Sequence, residues 1–187
     1  MVRVPTSVVD ELRRAEREGY PVEVDRGRGA WVEWMSGFVV SVGEQWMVIQ
    51  GLTDGVYIDG LEAWRIADVV HVEADREGGY IERAVAELGG RPSVDFELPE
   101  EAGTQDVLRA VANYANVIGV YCEPIDSSEI GHLVRLGARK FELQVVDSRG
   151  VWADRPIRWW YKDVTRVTFG RRYLEALERY GDERPIP

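Results

Sequence analysis

The sequence has few of the residues that build disulfides, metal centres and membrane spans. Its 187 residues include one cysteine, Cys122, and two histidines, His71 and His132. A single cysteine excludes an intramolecular disulfide and any metal site built on a Cys-x-x-Cys pair. The chain has no run of 18 apolar residues, and no apolar signal segment follows the N-terminus. We therefore expect a cytoplasmic protein that does not enter a membrane.

Motifs of catalysis are also missing from the sequence. The two histidines are not spaced as metal ligands, and each alternates with apolar residues, as in a strand. Cys122 ends the apolar run 117–122, where a small hydrophobic strand residue is expected rather than a nucleophile. No Ser-His-Asp order stands out, and no glycine-rich phosphate loop followed by Lys-Ser or Lys-Thr occurs. The sequence thus predicts no catalytic residue, no metal and no other cofactor.

Acidic residues are abundant and unevenly distributed. The net charge is −10, and residues 1–95 carry −8 of it against −2 for residues 96–187. A strongly acidic surface repels phosphate backbones and anionic lipid headgroups, which disfavours nucleic acid and membranes as partners. Two interpretations stay open. The charge serves solubility alone, or it forms an acidic face that docks on a basic partner.

The chain matches itself when it is shifted by about 95 residues. Residues 54–60 then fall on residues 149–155, and Trp64 falls on Trp159. After small gaps, residues 37–43 match 131–137 and residues 80–82 match 173–175. Because Gly, Asp and Trp coincide in one order, we predict a tandem repeat with a first domain at 1–92 and a second at 93–187.

Each predicted copy opens and closes with a helix. Ser7 and Thr104 are candidate N-caps of amphipathic segments, and Gly19 is a plausible stop for the first one. The closing helices end at the pair Gly89 and Gly90 in the first copy and at Gly181 in the second. Residues 89–93 are rich in turn formers and are the best candidate linker.

Short β-branched and aromatic runs separated by glycine-containing turns lie between these helices. Five short strands in one antiparallel sheet would have to curl to cover their inner face. We therefore predict a mainly-β α+β fold of two tandem small antiparallel β-barrels, SH3-like or Sm-like, each with flanking helices. An open α+β sheet is the alternative.

The repeat carries a resemblance to a known group. Residues 32–40 read Val-Glu-Trp-Met-Ser-Gly-Phe-Val-Val, and Asp-Gly at 54–55 and Arg-Ile-Ala-Asp-Val at 65–69 follow. This pattern resembles bacterial tandem-repeat proteins with Gly-Phe-Val-Val, Asp-Gly and Arg-x-x-Asp-Val modules of the Sm-like or SH3-like small-barrel type. The resemblance implies a fold and a bacterial cytoplasmic setting, and it implies no activity.

Tryptophans are the first candidate binding residues. Trp64 and Trp159 recur in both copies and are expected to pack the cores. Because side chains alternate along a strand, one of Trp159 and Trp160 should face outward or be buried between the copies. Trp34, Trp152 and Trp160 are our candidates for stacking bases or anchoring a protein partner.

Charged residues supply the remaining candidates. The binding candidates Arg171 and Arg172 form a modest basic cluster with Lys162 and Arg166. Residues 25–29 are interpreted as a solvated loop that carries Arg26 and Arg28. Four aspartates recur in the two copies, and we expect them to cap turns rather than to catalyse or bind metal: Asp59, Asp68, Asp154 and Asp163.

Three functions are consistent with these observations. The first is a non-enzymatic protein-interaction module of unidentified partner, of which an immunity-type inhibitor of a basic toxin would be one variety. The second is an Sm-like RNA-binding protein that uses the less acidic second copy. The third is an enzyme with its site between the two repeats. A protein partner is favoured over nucleic acid, and a homo-oligomer is left open.

Overall fold

The computed structural model describes residues 6–28, 31–75, 79–122 and 126–185. Residues 1–5 and Gly29, which entered the sequence predictions, lie outside this description, as does the side chain of Arg28. The chain divides into two compact units, unit 1 (Met1–Ala102) and unit 2 (Gly103–Pro187). Each unit combines helices with a mostly β framework, so the expected mainly-β α+β class is confirmed.

The described residues of unit 1 form two helices and five strands. In chain order they are α1 (Thr6–Glu18), β1 (Pro21–Arg28), β2 (Trp31–Val42), β3 (Trp46–Thr53), β4 (Tyr57–Arg65), a 3-10 turn (Ile66–Asp68), β5 (Val69–Ala74) and α2 (Tyr80–Glu87). The strands are antiparallel to their neighbours and follow the order β5-β1-β2-β3-β4.

Unit 2 contains the same kinds of element in the same order. They are α3 (Thr104–Tyr114), β6 (Ile118–Cys122), β7 (Ser127–Leu136), β8 (Lys140–Val145), β9 (Ile157–Trp160), a 3-10 turn (Tyr161–Asp163), β10 (Arg166–Phe169) and α4 (Arg172–Tyr180). Its antiparallel strands follow the order β10-β6-β7-β8-β9.

The four predicted helices are confirmed, and glycine ends three of them. Gly19 follows α1 with φ +74°, and Gly89 and Gly90 follow α2 with positive φ. These backbone conformations favour glycine because it has no Cβ. The N–H of Gly181 donates to the carbonyl of Leu177 at the end of α4. At α3 the cap differs from the prediction, since Thr104 is the first helical residue and Gly103 precedes it.

Helix α1 supplies the second layer of unit 1. Its residues Val8, Leu12 and Ala15 are buried, and they recur every three or four positions, so they lie on one helical face. This face packs on the inner side of the sheet, where Met47 and Trp64 are fully buried. In unit 2, α3 has the same place in the element order, its residues Val107, Leu108 and Val111 are buried, and it contacts β7 and β10. Leu174 and Leu177 of α4 pack in a further cluster with Val117 and Val146.

The predicted pair of small closed barrels is wrong. In each unit the first and last strands of the order, β5 and β4 or β10 and β9, are not neighbours, so each five-stranded sheet is open. The prediction assumed that a sheet must curl to cover its own inner face. Helices cover that face instead, which removes the need for closure. The open α+β alternative describes the strand pairing correctly.

The predicted solvated loop around Arg26 is also wrong. Arg26 lies within β1 and is buried, with its guanidinium 5.0 Å from the ring centre of Trp64. Its Nη2 lies 2.8 Å from a carboxylate oxygen of Glu33 on β2. The arginine is therefore part of the unit 1 core, because a carboxylate and an aromatic face compensate its lost hydration.

None of the helices in the described ranges is both long enough and apolar enough to span a membrane.

Candidate functional site

Charge divides unequally between the two units. Unit 1 carries 21 Asp/Glu and 10 Lys/Arg, a formal net charge of −11, whereas unit 2 carries 12 and 13, a net charge of +1. The acidic surface expected from the sequence is thus a property of unit 1. Any charged partner meets two different surfaces on this chain.

An acidic pocket of about 420 Å³ lies on unit 1, where strands β1 and β5 meet the β3–β4 turn and the start of α2. Four carboxylates line it: Glu23, Asp54, Glu73 and Asp75. We call this site the acidic pocket. Among its described lining residues there is no lysine or arginine, and Nε2 of His71 lies 3.7 Å from a carboxylate oxygen of Glu73.

Strand pairing fixes two of these carboxylates opposite each other. Glu23 on β1 is directly opposite Glu73 on β5, a cross-strand arrangement in which like charges repel. The N–H of Asp75 donates to the carbonyl of Pro21 at 3.0 Å, which holds the end of β5. Asp54 has a left-handed φ of +52° at the β3–β4 turn. The repulsion between fixed carboxylates would be relieved by a bound cation.

An aromatic ring borders the same pocket. Tyr80 is the first residue of α2, and 64% of it is exposed. Gly79 precedes it with φ +57° and directs the chain into the helix. A phenol beside carboxylates can accept a cation over its ring face and contact the aliphatic stem of a lysine or arginine.

A second pocket, of about 380 Å³, lies on unit 2 around Trp160 at the end of β9. We call it the Trp160 pocket. It is lined by four cations, Arg135, Arg139, Lys140 and Arg158, together with Glu142, Trp160, Phe141, Gly137 and Ala138. The lining therefore combines an exposed indole with a surplus of positive charge.

Strand pairing brings these residues together. Lys140 on β8 is opposite Trp160 on β9, and its Nζ lies 4.0 Å from the indole ring centre. Glu142 on β8 is opposite Arg158 on β9 and Arg135 on β7. Since β7, β8 and β9 are successive in the sheet, the side chains form one stripe on a single face.

Glu142 is the only carboxylate among the described residues that line the Trp160 pocket, and two arginines bind it. Nη2 of Arg135 donates to its Oε1 at 2.7 Å, and Nε of Arg158 donates to the same oxygen at 2.8 Å. The hydrogen bonds from Arg135 and then Arg158 lower the pKa of Glu142. One negative charge is thereby shared by two cations, which leaves the pocket positively charged.

The structure separates the five predicted binding residues. Trp160 is exposed and lines the Trp160 pocket, whereas Trp34 is exposed on β2 of unit 1. Trp152 packs on the core of unit 2, and its Nε1 donates to the carbonyl of Asp182 at 2.9 Å. Arg171 and Arg172 lie at the start of α4, which follows β10, at the other end of the strand order from β9.

Several other sequence expectations concern core residues. Trp64 and Trp159 are buried, as predicted, and Trp160 is the member of the Trp159–Trp160 pair that faces outward. Cys122 is buried in β6, in agreement with a hydrophobic role. Among the described residues, no group of three or more His, Cys, Asp or Glu is placed to hold a metal ion.

The aspartates occupy varied positions. Asp68 and Asp163 end the two 3-10 turns, as expected for turn residues, and Asp68 is buried. Asp59 instead lies within β4, where Oγ1 of Thr53 is 3.4 Å from its Oδ2. Asp54 and Asp75, which sequence reasoning did not select, are the aspartates that line the acidic pocket.

Sequence reasoning missed most of the residues in both pockets. Lys140, Glu142 and Arg158 are separated by up to 18 positions along the chain, and only the register of β8 and β9 makes them neighbours. A local signal did exist, because alternate residues of a strand share a face and Arg158 and Trp160 are two apart. The acidic pocket had no such signal, since its carboxylates come from three separate segments.

Comparisons of the chain with protein-family models, with curated proteins and with solved structures gave no match.

Proposed function

We propose that the chain is a non-enzymatic protein-interaction module that binds a basic protein partner through the acidic pocket of unit 1. The observation that carries this proposal is the convergence of Glu23, Asp54, Glu73 and Asp75 beside the exposed ring of Tyr80. Glu23 and Glu73 face each other across two strands, so the free surface holds unfavourable repulsion. A lysine or arginine side chain of a partner would relieve it.

The charge of unit 1 supports the same partner class. A formal charge of −11 on 102 residues would attract a basic surface over roughly a Debye length and speed its encounter. The pocket then provides the short-range contacts, with carboxylates for the cationic head and Tyr80 for its aliphatic stem. An inhibitor that blocks a basic toxin, as an immunity-type protein does, is one member of this class.

We propose further that the two units are copies of one scaffold, as the sequence repeat predicts. The support is internal to each unit. Strand orders and element orders correspond, and a register shift occurs between Val39 and Ser41 in β2 and between Leu133 and Arg135 in β7. A bulge at the same place in a repeated strand is typical of a conserved backbone design. On this proposal, the two units share the same arrangement of strands and helices but present different interaction surfaces.

A basic peptide tests the interaction proposal directly. The probe is a fluorescently labelled hexalysine peptide, and the measurement is its anisotropy with the full chain at 50 mM salt. The test variant combines Glu23→Gln, Asp54→Asn, Glu73→Gln and Asp75→Asn. Exposed charge pairs contribute roughly 0.2–1 kcal/mol each, so we expect the loss of four to weaken binding by at least about fourfold.

A control with the same change in net charge separates the pocket from the overall field. It combines Asp10→Asn, Glu44→Gln, Asp95→Asn and Glu97→Gln, four exposed unit 1 residues that do not line the pocket. We expect this control to lose less than about threefold in affinity, because only long-range attraction is reduced. Equal losses in both variants would show that the charge attracts the peptide without a specific site.

A further inference from the structure

Trp160 is held rigidly with its ring toward solvent. The preceding residue, Trp159, is buried and stacks with Phe141 at 6.5 Å between ring centres. The following residue, Tyr161, also stacks on Phe141, at 5.7 Å, and its hydroxyl donates to the carbonyl of Gly137 at 2.8 Å. Because both chain neighbours are anchored, Trp160 stays 40% exposed without the freedom of a loop residue.

Cations surround this ring on neighbouring elements. Lys140 lies over the indole at 4.0 Å, and Nζ of Lys162 lies 5.7 Å from the ring centre. Arg135, Arg139 and Arg158 line the same pocket, and Glu142 compensates one of the positive charges. Arg135 and Arg158 each use few of their five N–H donors on Glu142, so donors remain for a second anion. Both arginine side chains are well exposed.

From this arrangement we infer that the Trp160 pocket binds a nucleotide, with the base stacked on Trp160 and the phosphate bound by the surrounding arginines and lysines. An exposed aromatic ring stacks bases of any sequence, and nearby cations bind the backbone phosphate. A base that stacks on the face now covered by Lys140 would displace its ammonium, which lies 4.0 Å from the ring centre, toward the phosphate. Arginine forks bind phosphate oxygens through paired hydrogen bonds. The pocket volume of about 380 Å³ falls within the usual range of small-ligand sites.

An acidic peptide is the alternative ligand of this pocket, and the exposed indole favours a nucleotide over it. Carboxylates of a peptide would use the cations but would leave the flat ring of Trp160 without a planar partner. A nucleotide uses both features at once. The net charge of the chain opposes any polyanion at long range, yet unit 2 by itself carries +1 and the pocket lining carries a clear excess of cations. This inference does not depend on the acidic pocket.

The nucleotide that binds this pocket is either a free nucleotide or one residue of a single-stranded nucleic acid. Two probes with the same base separate the sources: adenosine monophosphate, measured by calorimetry, and a labelled ten-nucleotide oligoadenylate, measured by anisotropy at 50 mM salt. Binding of the monophosphate alone, or with equal affinity per site, identifies a free nucleotide. Binding of the strand alone identifies single-stranded nucleic acid.

Substitutions at the ring test the stacking. Trp160→Ala should lower the affinity for the probe at least about fivefold, because removing a stacking ring from a nucleic-acid site has effects of this size or larger. Trp160→Phe should restore binding to within about threefold. The matched control is Trp34→Ala, which removes a tryptophan that is 64% exposed in unit 1. The binding of hexalysine should not change in any of these variants.

Substitutions at the cations test the phosphate contacts. The double variant Arg135→Gln and Arg139→Gln should weaken binding of the probe and reduce the salt dependence of that binding. The control Arg149→Gln with Arg179→Gln, two exposed arginines of unit 2 that do not line the pocket, should do neither. The inference is overturned if neither probe binds at 50 mM salt, or if Trp34→Ala weakens binding as much as Trp160→Ala. It is also overturned if hexaglutamate binds as tightly with the same dependence on Trp160, which would assign the pocket to acidic peptides.

Discussion

Each unit has a cross-strand pair of a cation and a tryptophan, but the two units place the ring and the cation on opposite strands of the pair. In unit 1, Trp46 on β3 is buried and Arg65 on β4 lies over its ring at 5.7 Å. In unit 2 the corresponding cross-strand pair is Lys140 on β8 and Trp160 on β9. The indole lies on an inner strand of unit 1, where it is buried, and on β9 of unit 2, where it is 40% exposed. If the two units are copies of one scaffold, as proposed, the cation–aromatic contact is kept while the ring becomes a surface that a ligand can reach.

Framework residues, in contrast, have matching environments. Gln50 in β3 and Gln144 in β8 are both buried. Each accepts a hydrogen bond from an arginine that follows the last helix of its unit, Arg91 in unit 1 and Arg184 in unit 2. The comparison therefore separates two kinds of residue. Those that determine the strand geometry have counterparts, while those that face the two pockets differ in charge and size.

The largest effect is expected where a strand backbone passes close to a glycine. A Cβ on Gly37 would lie 2.3 Å from the carbonyl oxygen of Gln50, and one on Gly131 would lie 2.2 Å from that of Gln144. Gly37→Ala and Gly131→Ala should each lower the free energy of unfolding by about 3 kcal/mol or more, since the backbone must move. Urea unfolding followed by circular dichroism measures this.

The control for this prediction is Gly51→Ala. Gly51 is paired with Gly37 across β2 and β3, but a Cβ there would meet the flexible thioether of Met35, at 3.2 Å. We expect a loss below about 1 kcal/mol. If Gly131→Ala were tolerated while Gly37→Ala was not, the two frameworks would not be equivalent.

A smaller effect is expected from a buried ion pair that is specific to unit 1. Glu33→Ala would remove the carboxylate oxygen that lies 2.8 Å from Nη2 of the buried Arg26. We expect a loss of about 2 kcal/mol, because a hydrogen bond to a charged group at a buried site contributes roughly 1.5–3 kcal/mol. Glu142→Ala is the counterpart in unit 2. Its arginine partners are exposed, so the melting temperature should change little.

The buried glutamines should have an equal or smaller effect. Gln50→Ala removes the acceptor of Arg91 Nε at 2.9 Å, whereas Gln144→Ala removes that of Arg184 Nη1 at 3.3 Å. We expect losses of about 2 and 1 kcal/mol, in that order, since a shorter hydrogen bond at a buried site contributes more. Thermal unfolding of the two variants gives the ranking, and a reversed order would contradict the comparison of these contacts.

How far sequence predicts this protein depends on the range of the interaction. Helices α1 and α2 were predictable because apolar periodicity and glycine stops are local, and Gly19 and Gly89 adopt the expected positive φ. The predicted cap Ser7 instead lies inside α1. Strand alternation predicted that one of Trp159 and Trp160 faces outward, without indicating which. Sheet closure was mispredicted, since it depends on whether distant end strands meet or helices cover the sheet. Arg26 was mispredicted because its partners, Glu33 and Trp64, lie elsewhere in the chain.

The smallest predicted effect is a contrast in titration between Glu16 of unit 1 and Glu142 of unit 2. Partial burial raises the pKa of Glu16, although the N–H of Val42 and nearby arginines act against this. Hydrogen bonds from Arg135 and Arg158 lower the pKa of Glu142. Carbon-13 NMR of the side-chain carboxyls should therefore show Glu16 titrating above the ordinary glutamate value and Glu142 below it.

The two shifts act on stability with opposite sign. A raised pKa means that the folded state binds the proton more tightly, so the contribution of Glu16 is present at low pH and is lost as pH rises through its folded pKa. A lowered pKa means that the contribution of Glu142 is present above the unfolded pKa and is lost as pH falls through the folded value. Glu16→Gln should accordingly stabilise the chain at pH 7, by less than about 1 kcal/mol because the group is largely solvated. Glu142→Gln should instead flatten the acid side of the stability profile, and identical profiles for both variants would show that the surroundings of the two carboxylates do not differ.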